Sequence, residues 1–468
     1  MRASFAMLRA RIAAALRPGQ PAEQSPALPP RRPAAPVLMQ ANAAWCWFHR
    51  ERALTIDGVT YFGSVAGVEE RGEQAGALRL TRFDHAHATA RTVTLDIIRP
   101  PDDHNVPALC RLADGRLLAA WQGHGSGGDI FHRIFDDRLE PRSPVLRTDA
   151  LARVSYSNLF QLPGDDVVLN FHRGIGWGPN LLASLDGGTN FIHGGRLLHA
   201  PRPDPRDPRA TGLPGGRPYL VYAQQGARIH FAAVEDHPRA YDNTIHHGYL
   251  EAGQVHDSHG RAVGAPSGGS AAPELTFTAL TRVFEGAADR VPWVSDIAAF
   301  PDGRISIAFS VQVSGAAHRA RTGLGGEDLR YRIAHFDGAT WDTFEIAHAG
   351  PCLYAGEDDY SGLIALDPDD PARCAIATSR DPLTGTPIGG DAAGARFGIQ
   401  LGTIDFAARR AAFRPLSAPT REDHLRPVFS RRLSGASGCL LWMAGEYRSY
   451  TRFATRVLGL TLPGGPPG

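Results

Sequence analysis

The sequence predicts an all-β protein, a seven-bladed β-propeller of four-stranded antiparallel blades, on three observations. Apolar runs are paired about tight turns seven times along the chain, at a spacing of ~60 residues. The stretches between those hairpins read in turn as a strand, a bend near an Asp, and a second strand. Composition agrees, because 52 Gly and 36 Pro among 468 residues suit short strands and many turns.

Taken in order, the first hairpin is LTIDGVTYFG, turning at Asp57-Gly58, and the second is PALCRLADGRLLAAWQ, turning at Asp114-Gly115. Asp-Gly supplies the positive φ angles a two-residue hairpin turn needs. LFQLPGDDVVLNF turns near Gly164-Asp165, YLVYAQQGARIHFAAV at Gln225-Gly226 and IAAFPDGRISIAF at Asp302-Gly303. GLIALDPDDPARCAIAT turns near Asp369 and PVFSRRLSGASGCLLWM near Gly435. Each hairpin supplies the two inner strands of a blade. The outer pairs are ALRLTRFDHAHATARTVTLD, DIFHRIFDDRLEPRSPVL, NLLASLDGGTNFIHGGRLL, LRYRIAHFDGATWDTFEIA and GIQLGTIDFAARRAAFRPL. Ser184 to Phe191 fits the Asp-box pattern Ser-x-Asp-x-Gly-x-x-aromatic, in which Asp186 ties down its own turn and Phe191 plugs between sheets. Residues 1–36, rich in Pro, Ala and Arg, precede the first strand signal at Trp45 and are expected to be a disordered tail; 37–468 is expected to be one propeller domain.

Composition excludes several classes of function. Net charge is +1 with the signs interspersed, so there is no electrostatic footprint for nucleic acid. No run of about 20 apolar residues exists to span a membrane. Arg9 and Arg11 interrupt what would be the apolar core of a secretory signal. The five cysteines are scattered and lack a Cys-x-x-Cys pair, which implies neither a disulfide framework nor a zinc knuckle; Cys110, Cys374 and Cys439 read as core residues.

Propeller geometry gathers the residues that bracket each hairpin on one face around the central channel. His104 lies ten residues before the Asp114-Gly115 turn and His124 nine after it, so the hairpin brings two imidazoles together beside Asp102 and Asp103. Tyr156 and Arg173 bracket the third hairpin in the same way, and GGRPYLVY brings Arg217 and Tyr219 to the rim with Tyr222 a step down the strand. Later blades contribute Trp293 and Asp296, then Asp358, Asp359 and Tyr360, then Arg426 and Glu446. Two His, two Arg and up to three Tyr, with few carboxylates placed as a hydrolytic pair, suit β-elimination from a uronic-acid polysaccharide. Arginine binds and neutralises the uronate carboxylate with its planar fork, which acidifies the C5 proton. Histidine and tyrosine then carry protons from C5 and to the departing O4.

DDHNVPAL with DGRLLAAWQGH, SYSNLFQL with NFHRG, SLDGGTNF, RPYLVY, TIHHGYLEAGQVHDSHG, DDYSGLIALDPDDP, and DHLRPVF with LWMAGEYRSY together resemble the BNR-4 repeat family, which includes seven-bladed propeller lyases that cleave ulvan. The resemblance covers about residues 40–460. It implies His104, His124 and Tyr156 as the catalytic His/His/Tyr set and Arg173 or Arg217 as the carboxylate neutraliser. It also implies Tyr219, or else Tyr222, as a further substrate contact. His124 and Tyr156 are the expected proton carriers, the order of base and acid being left open. The implied partner is an anionic polysaccharide, either ulvan-like or a bacterial glucuronate polymer, and no cofactor is required for catalysis. Relatives of this kind are exported, and some hold a structural metal. His246, His247, His256, His259, His424 and Cys352 are conceivable ligands without diagnostic spacing. The competing readings are a sialidase-like hydrolase, which the Asp box suggests, and a non-catalytic carbohydrate-binding propeller.

Overall fold

In the computed structural model the described residues are 35–463, apart from 70–71, 73, 200–203, 205, 212–215, 268–273, 314–325, 355–356, 389–395 and 418–421. Of the tail expected at 1–36, residues 1–34 lie outside this range. The described chain is all-β, with seven antiparallel blades in a ring. All seven expected hairpins are the inner strand pairs. They are Ala53–Ile56 with Val59–Val65, Ala108–Arg111 with Leu117–Trp121, Ser155–Gln161 with Val168–Arg173, and Tyr219–Gln225 with Arg228–Val234. Arg290–Ala299 with Ile305–Val313, Ile364–Leu366 with Arg373–Thr378, and Asp423–Phe429 with Ser437–Ser449 complete the set.

Three blades depart from the simple plan, the first only by a short fifth strand, Arg431–Arg432, that pairs parallel with Ala53–Ile56. Blade four divides its fourth strand. Gln254–Asp257 pairs with the far half of Thr244–Glu251, Thr281–Glu285 pairs with the near half, and an insertion runs between them. Blade seven takes its outermost strand from the other end of the chain, because Val37–Gln40 pairs antiparallel with Arg452–Pro463. The first strand therefore lies ahead of Trp45, which corrects the sequence expectation.

Apolar side chains alternate along the strands and meet those of the next blade, as in packed sheets generally. Phe160 and Phe171 of blade three pack with Tyr222 and Phe231 of blade four, and Ala365 and Ile399 of blade six with Leu440 and Trp442 of blade seven. Burying each such large side chain contributes about 1.5–3 kcal/mol, so the ring is held by the sum of its interfaces. The Asp box behaves as expected: Asp186 Oδ1 accepts from Ser184 Oγ (2.8 Å) and from the backbone of Asn190 (2.9 Å) and Thr189 (3.2 Å), while Phe191 packs on the core between blades two and three.

The centre of the ring is filled. Trp45, Cys46, Trp47, Phe48 and His49 are buried in the channel. Trp47 Nε1 donates to Val294 O (3.2 Å), Trp45 Nε1 to Arg426 O (3.2 Å), and Asn158 Nδ2 donates to Phe48 O (3.3 Å), so one segment is tied to three blades. Its aromatic rings also meet Trp293, Tyr360, Tyr156 and Tyr219. This plug floors the rim on which the histidines sit.

Candidate functional site

His104 sits in the 3-10 turn Asp103–Asn105, just before the inner strand of blade two. Asp102 caps that turn, its Oδ1 accepting from the His104 backbone N–H (2.9 Å). His124 follows the second strand, and its backbone N–H donates to Asn105 Oδ1 (2.7 Å), which ties the two open ends of the hairpin together. The imidazoles stack, with ring centroids 4.3 Å apart and planes 14° from parallel. Asp102 bridges them, Oδ1 at 2.7 Å from His104 Nδ1 and Oδ2 at 3.1 Å from His124 Nδ1. With both Nδ1 atoms engaged, Nε2 of each ring makes no protein hydrogen bond among the described residues.

The two imidazoles are driven apart in protonation. Burial alone would lower His104, but Cys46, Tyr156, Asp102 and Asp103 together raise its pKa well above 6.5. His124 is lowered, by burial and by the charge on His104. Burial would raise the Asp102 carboxyl, yet the imidazoles beside it hold it well below the usual carboxylate range. Asp103 is fully buried behind His104 and is anchored by Arg426 Nη1 (2.6 Å) and by the Tyr447 hydroxyl (2.6 Å).

Tyr156 completes the group, its ring 5.6 Å from that of His124 and 5.8 Å from that of His104. Its φ of 62° is a left-handed conformation uncommon for a bulky residue, and it lies where the blade-three register shifts between Ser155 and Asn158. The bulge offsets the expected pairing: Arg173 stands opposite Ser155, and Tyr156 is thrown out of the ladder toward the rim. Burial raises the Tyr156 phenol, against the opposing pull of His104 and Arg173. Arg173 lies between two phenol rings, its guanidinium carbon 4.7 Å from the centroid of Tyr156 and 4.2 Å from that of Tyr219. Its Nη2 donates to Pro218 O (3.0 Å).

Five of the expected residues thus meet: His104, His124, Tyr156, Arg173 and Tyr219. Arg217 stands further round, its backbone N–H on Asp236 Oδ1 (3.1 Å) and its charge helping to lower the buried His237 imidazole, after burial itself and Arg239. Tyr222 is in the core between blades three and four, stacked on Phe171 at 4.9 Å, and does not join the group. Asp296 lines the opposite mouth of the channel, where it forms an ion pair with Arg50. Glu446 is exposed and bonded to Arg448 Nε (2.7 Å), because strand alternation turns Tyr447 inward instead. Sequence reasoning missed Tyr450, edge-on to His104 at 5.0 Å, and the wall formed by His237, Arg239 and Glu357. Arg239 Nη1 is 3.1 Å from Glu357 Oε2, and burial raises both Glu357 and Asp359. This wall adds Glu357, which the sequence reading did not expect, to the Asp359 that it did.

Among the described residues, the suggested ligands His246, His247, His256, His259, His424 and Cys352 form no group of three that could share an ion. The two groups close enough to do so are Cys46, Asp103 and His104, and Asp102, His104 and His124.

Neither a family model nor a curated protein matches the sequence, so BNR-4 membership finds no support at that level. Among solved structures the chain is similar to a polysaccharide lyase PL25 ulvan lyase bound to -[GlcA(1-4)Rha3S]-. The TM-score is 0.62 at 12% identity, over 91% of this chain and 95% of that one. A second PL25 ulvan lyase structure gives a TM-score of 0.61 at 12% identity, over the same shares of the two chains. What is shared at this identity is the fold.

Proposed function

We propose that the protein is a polysaccharide lyase that cleaves a uronate-containing polysaccharide, ulvan-like or a bacterial glucuronate polymer, by β-elimination. The observation that carries this reading is the stacked His104/His124 pair on one carboxylate, set beside Tyr156 and Arg173. Arg173 neutralises the uronate carboxylate, since it is the arginine in contact with Tyr156 and its charge is reinforced by two phenols. Arg217 is placed to hold substrate further along the rim, and Tyr219 to pack on a sugar face. A neutral base takes the C5 proton; the electron pair forms the C4–C5 double bond and expels the C4 oxygen; an acid protonates that oxygen. His124, neutral and half-exposed, suits the base, and the Tyr156 phenol, held protonated, suits the acid. His104, charged and buried, positions both.

A sialidase-like hydrolysis is less well supported. Its candidate nucleophile Tyr360 is buried edge-on against Trp47 (5.3 Å) and Trp293 (5.2 Å) in the plugged channel. The PL25 neighbour, bound to a fragment that contains glucuronate, favours a uronate polymer as the substrate to try first. Incubation with ulvan and bacterial glucuronate polymers tests the reading: elimination gives a rising ultraviolet absorbance from the unsaturated uronate end, and new reducing ends without absorbance would replace the lyase with a hydrolase.

A further inference from the structure

Blade four carries a hollow of about 580 Å3 that the chemistry above does not use. Val234 pairs with Tyr219 at the rim, and the chain then runs through residues 235–243 before Thr244 opens the third strand. That loop borders both places. Glu235 and Tyr241 line the hollow, whereas His237 packs against Tyr219 (5.7 Å) and Trp293 (4.7 Å) at the rim. Four residues from His237 to Tyr241 span at most about 14 Å, so a chain of sugars could occupy both.

The walls are those of a sugar subsite. Tyr241, Phe277 and His246 form a buried floor, and Arg209, stacked 4.6 Å over the Tyr241 ring, stands with Arg282 at the edge. The volume lies in the range of ligand sites, with the mix of aromatic surface and a few polar groups usual for them. His246 Nε2 faces Glu235 Oε1 at 3.1 Å, so that ring nitrogen donates, while Nδ1 is buried and has no hydrogen-bond partner among the described residues. Charge decides the kind of sugar. Among the described residues Asp204, Glu235 and Glu285 outnumber Arg209 and Arg282, and both arginines are already paired, Arg209 with Asp207 (3.3 Å) and Arg282 with Glu285 (3.2 Å). An added carboxylate or sulfate would meet that surplus of negative charge.

We infer that the blade-four hollow is a distal subsite for a neutral sugar of the same polysaccharide, which points to a polymer whose uronates are separated by neutral sugars. This rests on the lyase reading only for the path of the chain past the imidazoles.

The probe is deacylated gellan, in which neutral sugars separate the glucuronates, with its tetrasaccharide repeat and ulvan for comparison. Binding is measured on the full chain carrying His124→Ala, so that nothing is cleaved, with and without Thr278→Trp, which places bulk at the exposed edge of the hollow. The expected result is a Kd for long-chain gellan raised about tenfold by Thr278→Trp, with the tetrasaccharide unaffected and ulvan bound more weakly than gellan. Arg282→Ala, another exposed edge position, should give a smaller change in the same direction. Unchanged long-chain affinity, equal weakening of long chain and tetrasaccharide, or tighter binding of ulvan would overturn the subsite. Wild-type protein that binds gellan in this pattern but yields no unsaturated product would sink the lyase reading and leave the subsite standing.

Discussion

The rings of His104 and His124 lie face to face, 4.3 Å apart, and a single carboxylate, Asp102, holds the Nδ1 of both. Two imidazoles so close cannot both carry a proton cheaply, and their surroundings decide which one does. His104 faces Asp102 and Asp103 and is buried; His124 looks outward and feels the charge on its neighbour.

Replacement of His124 by Ala should therefore remove the base and little else. The expected loss in kcat is about 10²–10⁴-fold with an unchanged melting temperature, since His124 is not a core residue. Because its pKa is lowered from 6.5, the acid limb of the wild-type kcat/KM profile should have its midpoint below pH 6.5. A midpoint above that value would remove His124 from the role.

His104 ties stability to pH in the opposite sense. Its folded pKa is raised above the unfolded 6.5, so its contribution is fully present below pH 6.5 and is lost as pH rises through the folded value. Urea unfolding of wild type and His104→Gln at several pH values should show the largest gap on the acid side of neutrality and a narrowing gap toward alkaline pH.

The arginines separate by a conservative change. Arg173→Lys keeps the charge but loses the planar fork held between Tyr156 and Tyr219, and kcat should fall about a hundredfold. Arg217→Ala should mainly raise KM. Steady-state kinetics showing the reverse would exchange their roles.

Beneath the site, Arg426 and Asp103 form an ion pair with both side chains almost fully buried. Arg426→Met leaves Asp103 charged and without its cation, a loss of about 3–5 kcal/mol in urea unfolding. The double change with Asp103→Asn should recover part of that loss.

How much of this was legible in the sequence depends on the range of each contact. Four of the seven hairpins declared themselves through Asp-Gly or Gly-Asp turns, and a tight turn fixes register, so the meeting of His104 with His124 could be read from position alone. Tyr156 was placed at the rim by the same logic, but the bulge and positive φ that project it there carry no glycine to mark them. Contacts between distant segments left no local trace. Val37–Gln40 closing blade seven, and Trp45 to His49 filling the channel, join residues hundreds of positions apart, and an aromatic run reads equally well as a strand. Tyr222 was misplaced because alternation along one strand turns it into the interface with blade three, away from the face that Tyr219 presents.

The central claim is elimination, and its most direct test is the ultraviolet absorbance of the purified full chain incubated with uronate polysaccharides, ulvan and deacylated gellan among them. The account predicts a steady rise as C4–C5 double bonds form, abolished by His124→Ala. Chain cleavage that yields reducing ends without any such rise would contradict it.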